Sequence, residues 1–424
     1  MQRYLSQTVL PLVATDLDGA RLYGVVDAAA QAPMFLTTPI GAWLLSCFKI
    51  GQLMLALTLL TIAGALTCSL ALSMQIFVAG TAIRGLATGA LATVGMGAIS
   101  PGLPARYRQL VLAGMSGVWL ISSVVGPVYA VAVSSALGWR WAIVLYLPLL
   151  LLARMMIARY MPERAERAAT ERAPWRWAVV LAIGSVTLSV PAGEWSAATV
   201  IIGGGLMLWA SRSLLPPGTF TASRGRPAGL SALMVTAAVY FGASIVLSIV
   251  AHDGFGLDAR RYGFIIAAPG LTWASAGLWC GSHPANVGTF RRRVVPAGVA
   301  IAVGVAAILM TTLLSHSKSS AFRGLLSGAA VLGFGMGSLY PDLPGRCLTR
   351  PEPYDGISPD RVSAAVVLAE SVGMALATTL AYTWLGTGFG LSENAVQRSQ
   401  TLIALTALAV LMLNRLTAAS RPAT

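Results

Sequence analysis

The sequence predicts an all-α polytopic membrane protein made of two parallel six-helix halves with a two-helix insert between them, about fourteen membrane helices in all. Three observations carry this. Of 424 residues, 56% are apolar and only 10% charged. The charges fall in short clusters between apolar runs of about 17 to 25 residues, the length that crosses hydrocarbon, and these runs lack a polar face wide enough to meet water. Secondly, one stretch occurs twice: RGLATGALATVGMGAISPGLPAR from Arg84 to Arg106, and RGLLSGAAVLGFGMGSLYPDLPGR from Arg323 to Arg346. Gly95, Met96, Gly97, Pro101, Leu103, Pro104 and Arg106 recur in order as Gly335, Met336, Gly337, Pro341, Leu343, Pro344 and Arg346. Thirdly, other segments repeat in the same order. VLPLVATDLDG from Val9 is answered by VLSIVAHDGFG from Val246, Ala20, Arg21, Tyr23 and Gly24 by Ala259, Arg260, Tyr262 and Gly263, and VLAGMSG from Val111 by VLAESVG from Val367. A duplicated unit fixes the architecture before any single helix is assigned, and conserved order and direction make the duplication parallel.

Taken in order, helices are expected near 3–16, 22–47, 51–73, 76–100, 109–133 and 141–158, and again near 229–252, 261–280, 294–314, 322–341, 362–386 and 399–417. Against its duplicate, the first helix is shorter by about nine residues, roughly two and a half turns, so either it is short or translation starts upstream. Arg159 to Arg176, where arginines alternate with Glu163, Glu166 and Glu171, reads as a solvated cytosolic linker. Two apolar limbs follow, near 177–191 and 196–211, broken at PAGEW. Both PxLPxR loops lie on the basic side, so an even number of crossings separates them. Each limb of about 16 residues is roughly 24 Å long, short for a hydrocarbon core near 30 Å. Fourteen spans are therefore expected, with twelve plus a re-entrant hairpin as the alternative. The expected division is 1–158 for the first half, 159–228 for linker and insert, and 229–424 for the second half.

The net charge of +14 follows the membrane. This topology places most of the arginines in cytosolic loops and ends, the bias that orients a membrane protein, with both termini cytosolic. No contiguous basic face exists for nucleic acid. Only Lys49 and Lys318 are lysines, which suggests a GC-rich, bacterial coding sequence. The four cysteines lie in helices or near cytosolic ends, so no disulfide framework is implied, and no cleavable signal precedes the first apolar segment. Neither lysine has a P-loop setting, His252, His283 and His316 are isolated, and HExxH and GxSxG are missing. An enzyme, a metal site and a cofactor are thus not expected. The GxGxG from Gly333 to Gly337 sits in an apolar helix, where it reads as close helix packing.

Ionisable residues inside apolar spans remain as functional candidates, because unpaired charge there is costly. Asp27 lies six residues after Arg21, so a proton-carrying acid and an interfacial pair are both open. Glu370 stands deeper, where the first copy has Gly114. Arg84 is either a functional charge or a snorkelling arginine, and Arg323 is its repeat mate. Gly117, Gly126 and Pro127 remove side chains and one backbone hydrogen bond, allowing close packing and a bend.

Two parallel six-helix halves joined by a cytosolic linker resemble the major facilitator superfamily. LSQTVLPLVATDLDG, from Leu5 to Gly19, resembles the first-helix signature of its fourteen-helix drug:proton antiporters, and GVWLISSVVGP, from Gly117 to Pro127, their fifth-helix antiporter motif. GWRWAIVLYLP from Gly138 and SLLPPGTFTASRGRPAG from Ser213 are similar to segments of the same group. Three departures stand out. Ser6 replaces the first-helix acid, GAWLLSCFK from Gly41 replaces the charged loop motif with Leu45 at its acid, and Tyr129, Ala130 and Val131 replace paired glycines. The resemblance implies proton-coupled export of small amphipathic molecules by alternating access, from a monomer in the plasma membrane. A uniporter or a lipid or siderophore exporter is the second reading, made more plausible by the missing acid, and a non-transporting receptor the third.

Overall fold

The computed structural model describes residues 9–420 except 11, 14, 19–22, 100–104, 161–172, 190–195, 223, 284, 286, 350–355 and 387–390. Among them all regular structure is helical. Helix α1 is seen in helical residues between 9 and 16; then follow α2 (Tyr23–Cys47), α3 (Ile50–Ser69), α4 (Met74–Ile99), α5 (Ala105–Leu137), α6 (Trp139–Val144) and α7 (Leu147–Tyr160). The insert is α8 (Trp175–Ser189) and α9 (Ser196–Leu214), and the second half comprises α10 (Arg226–Ile249), α11 (Ala259–Ser282), α12 (Val287–Leu314), α13 (Lys318–Leu339), α14 (Asp342–Leu348), α15 (Pro359–Gly386) and α16 (Leu391–Ala419). Among the described residues, nine helices are long and apolar enough to cross a membrane. Leu149, Ile201, Trp279 and Leu314 are among the large apolar side chains left exposed, as lipid-facing surfaces require.

The chain divides into two compact units. One contains Met1–Pro101, Ile121–Leu215 and Ile357–Leu368, the other Gly102–Leu120, Pro216–Gly356 and Ala369–Thr424. The insert helices thus belong to the first unit.

In the first unit α4 packs against α2 and α3. Pro33 and Pro39 lie inside α2, where each ring excludes an amide and crowds the carbonyl four residues earlier. Facing that irregular backbone, Gly85 and Gly89 on α4 sit over the Ala30 and Met34 carbonyls with no room for a Cβ. The Thr93 hydroxyl donates to the Thr38 carbonyl at 2.8 Å and the Thr37 hydroxyl to the Leu86 carbonyl at 2.8 Å, so hydroxyl bonds tie α2 and α4 together in both directions. Val9, Val13, Val26, Ala65, Cys68, Phe77, Trp139 and Ile143 form the core at one end of this bundle, joining α1, α2, α3, α4 and α6. In the insert, Gly184 and Gly203 bring α8 and α9 into backbone contact, and Trp177 meets Trp209 edge-on at 5.0 Å.

In the second unit α13 packs on α11 and α12, and α16 on α10 and α12. The GxGxG is a packing element: Gly333 and Gly337 sit against the Pro269 and Trp273 carbonyls of α11, and Gly335 against Ala297 and Ile301 of α12. Asp258 caps α11 by accepting from the Arg261 amide at 3.4 Å, and Ser317 caps α13 through the Ser320 amide at 3.2 Å.

Several boundaries differ from the sequence reading. The helix expected over 141–158 breaks at Leu145–Tyr146, because Pro148 offers no amide to the Val144 carbonyl. The helix expected to end at 341 pauses at Tyr340–Pro341 and resumes as α14, so the second PxLPxR segment is a helical turn rather than a loop. Helices α5, α12 and α16 run past their apolar cores, since arginine and glutamine propagate a helix about as well as leucine does once it has begun.

Candidate functional site

The second unit holds a polar and aromatic cluster where α10, α11, α13 and α15 converge. The Tyr340 hydroxyl donates to both carboxylate oxygens of Glu370, at 3.1 and 2.9 Å. The phenol is placed by its backbone: Tyr340 continues α13 with φ −62° and ψ −41°, and Pro341 begins the turn into α14. Its ring lies edge-on to Trp273 of α11 at 5.4 Å, and Trp273 in turn meets Tyr240 of α10 at 5.0 Å and Phe241 at 6.4 Å. Among the described residues the buried Trp273 Nε1–H has no hydrogen-bond partner, a donor that a ligand acceptor can satisfy. Glu370 stands eleven residues inside α15, about 16 Å from its start. Gly373, one turn further on, lets α15 close onto the Met234 carbonyl of α10.

Beside this lies a buried ion pair. Asp342, 1% exposed, accepts from Arg293 at 3.1 Å and from the Ala285 amide at 3.3 Å. Arg293 also donates to the Cys280 carbonyl at 3.1 Å, tying the end of α11 to α12 and α14. Arg226 donates to the Cys347 and Thr349 carbonyls, both at 2.9 Å, and so caps the C-terminus of α14.

The first unit has its own polar cluster, where α1 ends and α6 begins. Arg140 pairs with Asp16 at 2.8 Å and donates to the Ala71 carbonyl at 3.2 Å, while the Trp139 indole donates to Asp16 at 3.1 Å. Both partners are exposed, and the Arg140 guanidinium, then the Trp139 indole, hold the Asp16 carboxyl below the usual carboxylate range.

The residues singled out from the sequence are distributed as follows. Glu370 acquires a partner, Tyr340. Asp27 lies on α2, and its side chain falls outside the described residues. Arg84 is 7% exposed in the first unit, near the Cys68 thiol, and its Nε has no partner among the described residues. Arg323 is exposed on α13 and leans on the Ser319 carbonyl at 3.4 Å. Gly126 is buried, Gly117 packs near Leu278, and the Pro127 side chain lies outside the described residues. Arg84 and Glu370 belong to different units.

Tyr340, Trp273 and Asp342 escaped the sequence reading. The signal was present in the repeat: the first copy has Ser100 where the second has Tyr340, and Gly102 where it has Asp342. A polar or aromatic side chain gained in one copy alone is not required by the shared packing.

A Major Facilitator Superfamily profile matches residues 1–345 of the chain. The efflux pump FUS6 of Gibberella moniliformis is 28% identical over 194 residues, covering 44% of this chain and 34% of that protein. The multidrug efflux pump SdrM of Staphylococcus aureus is 28% identical over 152 residues, covering 35% of this chain and 33% of its own. The match thus spans about a third of the length of these curated relatives. Among solved structures, the human organic anion transporter MFSD10 (TETRAN) superposes with a TM-score of 0.67 at 16% identity, over 98% of this chain and 89% of that one. The proton:xylose symporter XylE superposes with a TM-score of 0.62 at 12% identity, over 97% and 90%. At such identities the likeness is one of fold. With its parallel repeat, its apolar helices and the family match over most of its length, the chain belongs to the Major Facilitator Superfamily and is a multi-pass membrane protein.

Proposed function

We propose that this membrane protein exports small amphipathic compounds in exchange for protons, with Glu370 as the acid that is alternately protonated. The observation that carries this reading is the Tyr340–Glu370 pair: a carboxylate within a transmembrane helix, held by a phenol and set beside a wall of aromatic rings. A carboxylate in such a place is costly unless it is paired or carries a proton as part of its work. The rings of Tyr240, Phe241 and Trp273 suit an amphipathic ligand, and the buried Trp273 Nε1–H suits one bearing an acceptor. The names of the related efflux pumps support the outward direction. Alternating access of the two halves, both PxLPxR segments on the cytosolic side, cytosolic termini and a monomeric, bacterial plasma-membrane protein complete the proposal. Asp27 is the rival proton site and Arg84 the cation that favours release from it.

The test is flux of amphipathic dyes in proteoliposomes under an imposed pH gradient. Accumulation against a dye gradient that collapses when the pH gradient is removed supports antiport. Downhill flux indifferent to the pH gradient supports the uniport reading.

A further inference from the structure

We infer that Tyr340 is the positioning residue of Glu370: its hydroxyl holds the carboxylate in its anionic form and so sets the pH at which that acid is loaded. This rests on the reading of Glu370 as the proton carrier. The geometry has three parts. The hydroxyl reaches both carboxylate oxygens, at 3.1 and 2.9 Å. The side chain is 6% exposed, with its ring fixed against Trp273 and its backbone fixed between α13 and α14. Among the described residues, no other side chain hydrogen-bonds Glu370. A donor held in this way bonds the charged carboxylate more strongly than the neutral acid, so it favours proton release.

The charged groups on the neighbouring helices bond other groups, are exposed, or stand near helix ends. Asp342 is paired with Arg293, Arg226 bonds the Cys347 and Thr349 carbonyls, and Arg346 lies over the Phe290 ring at 5.3 Å. Lys318 donates to the Gly256 carbonyl, Arg398 lies against Gly254, and Arg323 is exposed. Asp360 and Arg361 stand at the start of α15 and Arg415 near the end of α16. The repeat gives independent support: the first copy has Ser100 and Gly114 at these two positions, so donor and acid occur together in the second half and are absent together from the first.

The experiment needs no substrate. Purified full-length protein in lipid is titrated by infrared spectroscopy, following the carbonyl stretch of the protonated acid that E370Q removes. In Y340F the pH at which this band is half lost should rise by about one to two units, the size expected for one hydrogen bond to a charged group. An unmoved midpoint in folded Y340F overturns the inference while leaving Glu370 as the carrier. If E370Q removes no titrating band, the reading of Glu370 itself fails. Should Y340F not fold, 3-fluorotyrosine at position 340 replaces it. Its more acidic hydroxyl donates more strongly and should move the midpoint down, and an unmoved midpoint there overturns the inference equally.

Discussion

Gly95 and Gly335 occupy the same place in the two copies of the repeat, and replacing each by alanine should move stability in opposite directions. A Cβ built on Gly335 would lie 2.7 Å from the Ala297 carbonyl oxygen and 2.8 Å from the Ile301 nitrogen. Both are backbone atoms of α12, so no side chain can swing aside. An ordinary contact needs about 3.5 Å, so α12 must recede by roughly 0.7 Å along a helix pair already in van der Waals contact. Overpacking of this kind costs about 1–3 kcal/mol, offset by about 0.5–1 kcal/mol of helix propensity gained on leaving glycine. The net loss for Gly335→Ala is about 1–2 kcal/mol. At Gly95 no described atom lies within 4 Å of the built Cβ. Gly95→Ala therefore keeps the propensity term alone and gains about 0.5–1 kcal/mol. In detergent, thermal unfolding followed by tryptophan fluorescence should show G335A melting lower by about 1–2 °C and G95A melting at or above the wild type. Equal shifts of the same sign in the two variants would refute the packing argument.

Three further outcomes follow from the geometry. D342N leaves Arg293 partly buried without its counter-charge and should cost about 3–5 kcal/mol by chemical unfolding, whereas replacing both partners by apolar residues should recover much of that loss. D16N should lower the melting temperature slightly at neutral pH, and the gap should close in acid. Because the folded Asp16 carboxyl titrates below the free value of 3.8, the stability it adds is complete above that pH and is lost as the folded carboxylate takes up its proton. In a background without Cys47, cysteines at Tyr107 and Thr349, both exposed, should react with an impermeant maleimide from the same side of the membrane. Labelling from opposite sides would break the parallel-repeat topology.

The fold was legible because the repeat and the apolar runs are linear in the chain. VLPLVATDLDG and VLSIVAHDGFG locate corresponding helices without any knowledge of contacts, and a helix in lipid must satisfy its own backbone. The breaks were harder to read. Pro148 was visible, but whether a proline merely bends a helix or interrupts it depends on how the freed Val144 carbonyl is accommodated, and that is settled by neighbours distant in sequence. The α14 turn was hidden for a related reason: two prolines within PDLPGR look like a loop, yet Pro341 and Pro344 fall near the start of a short helix, where the missing amides cost least. Glu370 could be found as a lone acid in an apolar run. Its partner could not, since Tyr340 lies thirty residues away on another helix and a tyrosine near a membrane boundary is ordinary. Only the comparison of copies, Ser100 against Tyr340 and Gly114 against Glu370, sets the two apart.

The central claim is proton exchange through a carboxylate, and Glu370→Gln tests it most directly because it keeps size and hydrogen bonding while removing the titration. Wild type, E370Q, D27N and the double variant are reconstituted side by side, and dye export is measured against pH with binding measured separately. The account predicts that E370Q still binds dye and folds, yet cannot concentrate it under a pH gradient. If both single variants and the double variant transport uphill at the wild-type rate with unchanged pH dependence, proton antiport through these residues is wrong.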